Sequence, residues 1–204
     1  MHDHSKTRDV ALVATFAGLI GALGLIPAFS PFGFPVPVTI QTLGVMLAGA
    51  VLGARRGAAA VLLFLALVAA GLPLLSGGRG GLGVFAGPSA GYLIGFPIAA
   101  FLIGYLVHRF GTPYRLVFAL PSIVFGGIVV LYAIGIPVSA WRAELSLPAA
   151  IAGSAWFLVG DWIKAVVAAF VAQAVHRAYP GLLPDRRDQS STPRATRASA
   201  SSSA

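Results

Sequence analysis

The amino-acid sequence predicts an all-α membrane protein with six transmembrane helices in one bundle. Three observations carry that expectation. Of the 204 residues, 57% are hydrophobic and 10% charged, with a mean hydropathy of +0.87, whereas an ordinary soluble domain carries about 25% charged residues. The apolar residues gather into six runs separated by short polar or glycine- and proline-rich segments. The basic residues lie almost entirely between those runs and in the carboxy-terminal tail. Despite a formal net charge of +8, that distribution reads as membrane topology and not as a nucleic-acid-binding face.

The runs cover residues 10–29, 38–52, 57–71, 89–107, 116–136 and 149–175. A spanning helix needs about 20 residues, so the second and third runs are short. They are split by Arg55 and Arg56. A re-entrant hairpin would hold those two arginines inside the bilayer, so two short helices within a bundle are the better expectation. The first run is longer than the apolar core of a cleavable signal peptide, about 7–15 residues, and is expected to remain as a helix. Residues 1–9 are expected to be a cytoplasmic amino-terminal segment and residues 10–179 the membrane domain. Residues 180–204, rich in Ser, Ala, Arg and Pro, are expected to be a disordered cytoplasmic tail with weak attraction to anionic lipid.

With both termini placed in the cytoplasm, eleven of the fourteen Lys and Arg residues fall on the inner side. Arg79 and Arg142 fall outside, and Lys164 lies within a span. That asymmetry obeys the positive-inside rule. Cysteine is absent, which excludes disulfides, thiolate catalysis and cysteine-ligated metal. The amino-terminal His2, Asp3 and His4 are read as a disordered start rather than a metal site, and no metal is expected. His108 and His176 fall at helix ends, near the expected membrane interface.

Two outer loops are distinctive. Residues 30–37 hold three prolines and two phenylalanines, so that segment is stiff and extended. Residues 72–88 hold six glycines, which let the backbone pack closely or move. Its glycines do not make a phosphate-binding loop, because no strand precedes them. Together the two loops suggest a cap over an outward-facing pocket.

Asp161 and Lys164 are the only charged residues in the run 149–175. A charge at the bilayer centre costs about 2.5–3.5 kcal/mol on insertion scales. Residues three apart on a helix are neighbours on one face. The pair therefore faces the bundle interior, where it holds itself, a neighbouring helix or a ligand. Ser154, Phe157 and Ala165 share that face, which offers polar anchors within an apolar wall. Trp156 and Trp162 fall on other faces. In the first run, Ala14, Gly18 and Ala22 recur at four-residue spacing, which lets helix backbones approach closely in lipid.

The runs VPVTIQTLGVMLAGAVLGARRGAAAVLL at 36–63 and GLPLLSGGRGGLGVFAGPSAGYLIGFPIAAFLIGYL at 71–106, with DWIK at 161–164, together resemble the BioY family. These are the biotin-capturing S components of energy-coupling-factor (ECF) transporters. The resemblance covers residues 9–179. It implies a six-helix ECF S-component-like fold with a substrate pocket near the outer surface, closed by loops. It implies high-affinity biotin capture and uptake across the cytoplasmic membrane. It also implies partners, a transmembrane coupling protein and a pair of ABC ATPases that use ATP, with no cofactor in this chain. Carried over residue by residue, Asp161 and Lys164 match the polar pair of the biotin site, and Thr39 and Gln41 the start of the second helix. Gly87, Pro88, Gly91 and Tyr92 match the GPxxGY element that opens the fourth. Ser89 and Ala90 replace the threonine and glycine often found inside it, retaining a hydroxyl. Arg79 is the outer-loop candidate for the biotin carboxylate. Ala14, Gly18 and Ala22 match the face that docks on the coupling protein.

Biotin chemistry agrees with such a site. A carboxylate accepts ureido N–H bonds, and an ammonium donates to the ureido carbonyl or the biotin carboxylate. Two other readings compete. An intramembrane hydrolase would need an activated nucleophile. Ser89, Ser122 and Ser154 are present, but no histidine lies within a run, so no enzyme is expected. A stand-alone secondary carrier or channel for a vitamin-like solute would show internal repeats, and none is visible.

Overall fold

The computed structural model describes residues 3–30, 33–110 and 114–179. The expected tail at 180–204 and His2 lie outside the described residues. Among the described residues six helices form one bundle: α1 (Asp3–Leu23), α2 (Gln41–Leu52), α3 (Ala54–Ala69), α4 (Ala90–Phe110), α5 (Leu116–Arg142) and α6 (Leu147–Ala178). A short 3-10 turn, Leu82–Phe85, precedes α4. At one end of the bundle lie the start of α1, the α2–α3 junction, the end of α4, the start of α5 and the end of α6. The long loops 24–40 and 70–89 lie at the other. We call these the terminal end and the loop end.

By length and composition α4, α5 and α6 can each cross a membrane. At 1.5 Å per residue, α2 is only about 18 Å long and α3 about 24 Å, against about 30 Å of hydrocarbon. Burial explains the tolerance. Ten of the twelve α2 residues are buried, and α2 packs against α1, α3, α4 and α6. Backbone outside a helix is permitted at membrane depth where it is covered by protein or lines a cavity. The segment leading into α2 does the latter: Val36, Pro37, Val38 and Thr39 line a cavity. Helix α1 also ends earlier than its apolar run, at Leu23, with Gly24 and Pro27 following.

Helices α2 and α3 are joined by one residue. Gly53 sits at φ 82°, a conformation other residues rarely adopt, and this hairpin keeps Arg55 and Arg56 at the terminal end. Arg56 Nη2 meets Asp9 Oδ1 of α1 at 3.0 Å. Close approach of backbones then sets the bundle. A Cβ on Gly49 would lie 2.6 Å from the Ala100 carbonyl oxygen, and one on Gly57 2.6 Å from that of Ala48. A Cβ on Gly104 would meet the backbone of Gly53 and Ala54. Without a hydrophobic drive between helices in lipid, such small-residue contacts are the main source of helix association.

Helix α5 contains a π turn over Phe125–Val130 with Pro121 before it and Pro137 after it. Gly126 faces Ile103 and Gly127 faces Met46, with no room for a side chain on either. The core falls into two clusters. The one toward the loop end includes Ile20, Phe64, Leu93, Phe96 and Phe157. The one toward the terminal end includes Met46, Leu52, Ile103, Ile123 and Ala172. Outside, Trp141, Trp156 and Trp162 are exposed, as expected of lipid- or interface-facing aromatics.

His176, near the end of α6, is buried, with Nε2 2.9 Å from the Ala50 carbonyl oxygen and its ring stacked on Tyr114 at 4.8 Å. The last turns of α6 pack against α2, so this side chain turns into the bundle.

The glycine contacts make a stability prediction. Gly49→Ala is expected to cost about 1–3 kcal/mol through overpacking and to lower the melting temperature in detergent. Gly18→Ala, where an added Cβ meets nothing within 4 Å, is expected to leave it unchanged. Equal melting of the two variants would show that the α2–α4 contact is not tight.

Candidate functional site

A cavity of about 550 Å³, counting the part open to solvent, lies toward the loop end. Five parts of the chain build it. The segment before α2 gives Val36 to Thr39, and the first turn of α2 gives Gln41 and Thr42. The glycine-rich loop gives Leu75 and Arg79. Ser89, Tyr92, Leu93 and Phe96 come from the start of α4. Leu131 and Tyr132 come from α5, and Phe157, Asp161 and Lys164 from α6.

Asp161 and Lys164 form an ion pair, Nζ to Oδ1, at 2.8 Å, with 4% and 12% of their side chains exposed. Neither is held by its partner alone. The ammonium also donates to the Thr39 carbonyl oxygen at 2.5 Å and to Thr42 Oγ1 at 3.0 Å. Thr42 Oγ1 donates onward to Asp161 Oδ1 at 3.1 Å, and the Tyr132 hydroxyl donates to Asp161 Oδ2 at 2.7 Å. An ammonium has three protons, and all three are directed at protein acceptors. A buried ion pair is tolerable only with such additional bonds. The Thr39 carbonyl is available because the chain before α2 is not helical.

Gln41 lines the cavity, yet its amide is used up by the protein. Nε2 donates to the carbonyl oxygens of Ile20 and Leu74 at 3.2 and 2.9 Å. Oε1 accepts from Ser76 N and Ser76 Oγ at 3.2 and 3.3 Å. Gln41 therefore ties the end of α1 and the glycine-rich loop to α2. The Tyr92 hydroxyl is 3.2 Å from Ser154 Oγ. Its ring stands edge-on to Tyr132 and Phe157, with centroids 6.3 and 6.2 Å away, and Gly135 leaves the space it fills. These rings and Phe96 make the apolar walls.

The remaining GPxxGY residues divide. Gly87, Pro88 and Gly91 do not line the cavity. The Pro88 carbonyl accepts from Ser139 Oγ at 2.7 Å, and Gly91 packs directly on Ile134 and Val138. They seat the start of α4 on α5. Ser89 does line the cavity. Its Oγ is the only buried side-chain polar atom lacking a hydrogen-bond partner among the described residues.

Both loops lie over the site. Phe29 and Val38 exchange backbone bonds of 3.1 and 2.8 Å that close the base of the first loop. Phe34 from that loop rests on Gly153 and stands edge-on to Phe157 at 5.8 Å. In the second loop Leu75 and Arg79 pair across Gly77 and Gly78, both with positive φ. Arg79 Nε donates to the Ser76 carbonyl oxygen at 3.2 Å. Ala14, Gly18 and Ala22 are exposed on the outer side of α1, while Ala17, Ile20 and Gly21 turn into the bundle.

Two members of the polar cluster, Thr42 and Tyr132, escape sequence reasoning. Tyr132 carried a signal: it is the only tyrosine in the run 116–136.

An aromatic-walled cavity with a buried, fully wired ion pair, set in a six-helix membrane bundle, defines a membrane-embedded binding protein for a small solute. Comparison with known proteins narrows the class. A model of the BioY family matches residues 1–181, and the chain belongs to that family. It is 54% identical to the biotin transporter BioY of Rhizobium etli over 187 residues, covering 89% of this chain and 99% of that one. It is 50% identical to the biotin transporter BioY of Rhodobacter capsulatus, covering 86% and 97%. The crystal structure of the S-component for biotin from an ECF-type ABC transporter superposes with a TM-score of 0.83 at 30% identity, covering 87% of this chain and 95% of that one.

Tyr132→Phe removes one donor from a buried carboxylate. It is expected to lower stability in detergent by about 1.5–3 kcal/mol, the range for a hydrogen bond to a charged group. Unchanged thermal and denaturant melting would show that Asp161 does not depend on α5.

Proposed function

We propose that this protein captures biotin in the loop-end cavity and serves its uptake as the substrate-binding component of an ECF-type transporter. The observation that carries the reading is the wired Asp161 facing an apolar, aromatic-walled cavity. Biotin combines a cyclic urea, a thioether ring and an aliphatic acid. Asp161 Oδ2 accepts one bond, from Tyr132, and a carboxylate oxygen has room for two. A ureido N–H fits the vacancy, with the rings against Tyr92, Phe96, Tyr132 and Phe157. Lys164 neutralises Asp161 and fixes its orientation. Small-ligand sites of this kind combine apolar walls with a few placed polar groups.

The loop end is the outer face in this proposal, and both termini are cytoplasmic in the cell membrane. The basic residues support it: Lys6, Arg8, Arg55, Arg56, Arg109, Arg115 and Arg177 all belong to the terminal end. No nucleotide-binding motif is present in the sequence, so work driven by ATP comes from partner ATPases acting through a transmembrane coupling protein. The exposed Ala14, Gly18 and Ala22 face of α1 is the proposed docking surface for that protein.

Purified protein is expected to bind biotin at one site in calorimetry and to ignore thiamine and riboflavin. Asp161→Asn keeps the shape but strands the Lys164 charge. It is expected to weaken biotin binding by up to about 100-fold, since a hydrogen bond to a charged acceptor contributes about 1.5–3 kcal/mol. The variant should still run as a monodisperse species. Absence of biotin heat in the wild type, with another vitamin bound instead, removes the reading.

A docking test is separate. Gly18→Leu lies away from the cavity and should leave biotin binding intact. It should hold the helix backbones apart, block co-purification with the coupling protein and reduce ATP-dependent uptake. Undiminished uptake by this variant would show that docking uses another surface or that the protein transports alone.

A further inference from the structure

We infer that the terminal end of the bundle carries a site for an anionic glycerophospholipid. An acyl chain lies in an apolar groove between α4 and α5, and Arg109 and Arg115 hold the headgroup phosphate. The inference is independent of the biotin reading, because the groove and the loop-end cavity share no lining residue.

The groove follows from helix periodicity. Leu106 and Phe110 are one turn apart on α4, and Val117 with Pro121 and Phe118 with Ser122 make two such pairs on α5. The two helices pack against each other, while Val107, Ala119 and Ile123 turn into the core. On α5 the bulk of Phe118 gives way one turn deeper to Ser122. From its mouth at Phe110 and Val117 the groove runs about 6–8 Å along the helices. Ser122 is the one polar side chain among the described residues that line it, and its hydroxyl donates to the Phe118 carbonyl oxygen at 2.7 Å. The groove therefore offers a ligand apolar surface and no free side-chain donor.

Exposed apolar side chains such as Phe110, Val117 and Phe118 occur on any lipid-facing helix. Charge at the mouth singles out this groove. The Arg109 guanidinium lies over the Phe110 ring, 5.2 Å from its centroid, a cation–π contact that places it at the groove edge. Arg115 is exposed two residues before Val117 and forms no ion pair among the described residues. No Asp or Glu occurs in the sequence between Asp9 and Glu144, and Asp9 is paired with Arg56 of α3. Neither helix of the groove thus supplies an acid to balance these two arginines.

The occupant must match both parts. An acyl chain fits the apolar groove, and a phosphate fits guanidinium forks, which present paired N–H donors to its oxygens. A zwitterionic lipid carries the same chain and phosphate, but its own cation cancels the charge. Free phosphate lacks the chain. A lipid with net negative charge answers the whole site. In the orientation proposed above the groove opens to the inner leaflet, where anionic headgroups lie at the depth of the two arginines.

The test is native mass spectrometry of the purified full-length protein in detergent, with dioleoyl phosphatidylglycerol or dioleoyl phosphatidylcholine added. Wild type should retain one phosphatidylglycerol about tenfold more readily than phosphatidylcholine, as for two basic residues meeting an anionic headgroup. Arg109→Gln combined with Arg115→Gln should bring the two lipids within about twofold of each other. Lys6→Gln combined with Arg8→Gln removes the same charge from α1, which packs on α2 and α3, and should keep the preference. Val117→Trp places a bulky ring at an exposed lining position and should lower retention of both lipids. Should that variant fail to run monodisperse, Val117→Ala, which removes part of the lining, should lower retention as well. Equal retention of both lipids by wild type, equal loss of preference in the α1 variant, or unaltered retention after the Val117 substitutions would each overturn the site. A dimer that Val117→Trp dissolves would assign the groove to a second copy of this chain instead.

Discussion

The ion pair between Asp161 and Lys164 is the constraint around which the rest is arranged. Two charges inside a membrane bundle are tolerable only when each finds further bonds, and these bonds fix neighbouring elements. Thr39 and Thr42 bring the start of α2 to α6, and Tyr132 brings α5. The same contacts pin three walls of the cavity at one depth. The pair is thus a structural clamp as well as the proposed binding group. These roles are compatible because the clamp leaves Asp161 Oδ2 with an open position facing the cavity.

That clamp requires unusual backbone. A regular helix beginning earlier than Gln41 would have committed the Thr39 carbonyl to its own ladder. The chain instead stays irregular through residues 33–40, with Pro35 and Pro37 preventing a longer helix. Its polar groups are tolerated because they line a cavity under the loops and are not exposed to lipid. The short length of α2 follows from this. The helix gives up a turn at the loop end to expose a carbonyl to Lys164, and it compensates by being buried on nearly all sides with glycines at its closest contacts.

The number of helices and the charged pair were legible in the sequence for one reason: charge and apolarity are strong signals against lipid. Asp161 and Lys164 interrupt an otherwise apolar run, so their inward orientation followed from cost alone. The small-residue stripe of α1 was legible from spacing, whereas its exposure on the outer side of the bundle was not. What escaped was anything depending on tertiary contact between neutral groups. Thr42 and Tyr132 look ordinary in a membrane helix until a carboxylate is placed beside them. Gln41 matched a binding motif, but only the structure shows its amide spent on Ile20, Leu74 and Ser76. Gly87, Pro88 and Gly91 matched the same motif, and the structure assigns them to seating α4 on α5. A motif marks which residues recur together, and it does not separate those that touch a ligand from those that hold the touching residues in place. The burial of His176 escaped for a related reason: position along a helix does not fix which side chains a neighbouring helix covers.

The cavity and the proposed docking face are separated in space by the same architecture. The cavity and its loops occupy one end. The Asp9–Arg56 pair and the His176–Ala50 contact lock the other end, where α1, α2, α3 and α6 meet. Helix α1 touches both regions: its inner face packs through Ile20 on Gly44 of α2, and its end is tied by Gln41 to the glycine-rich loop. Its outer face carries Ala14, Gly18 and Ala22 in a row of small side chains, with Thr15 and Leu19 exposed beside them. A partner seated on that face would bear on a helix bonded directly to the residue beside Thr42. Gln41 thus joins the end of α1 and the loop that carries Arg79 to the first turn of α2, beside the hydroxyl that bridges Lys164 and Asp161.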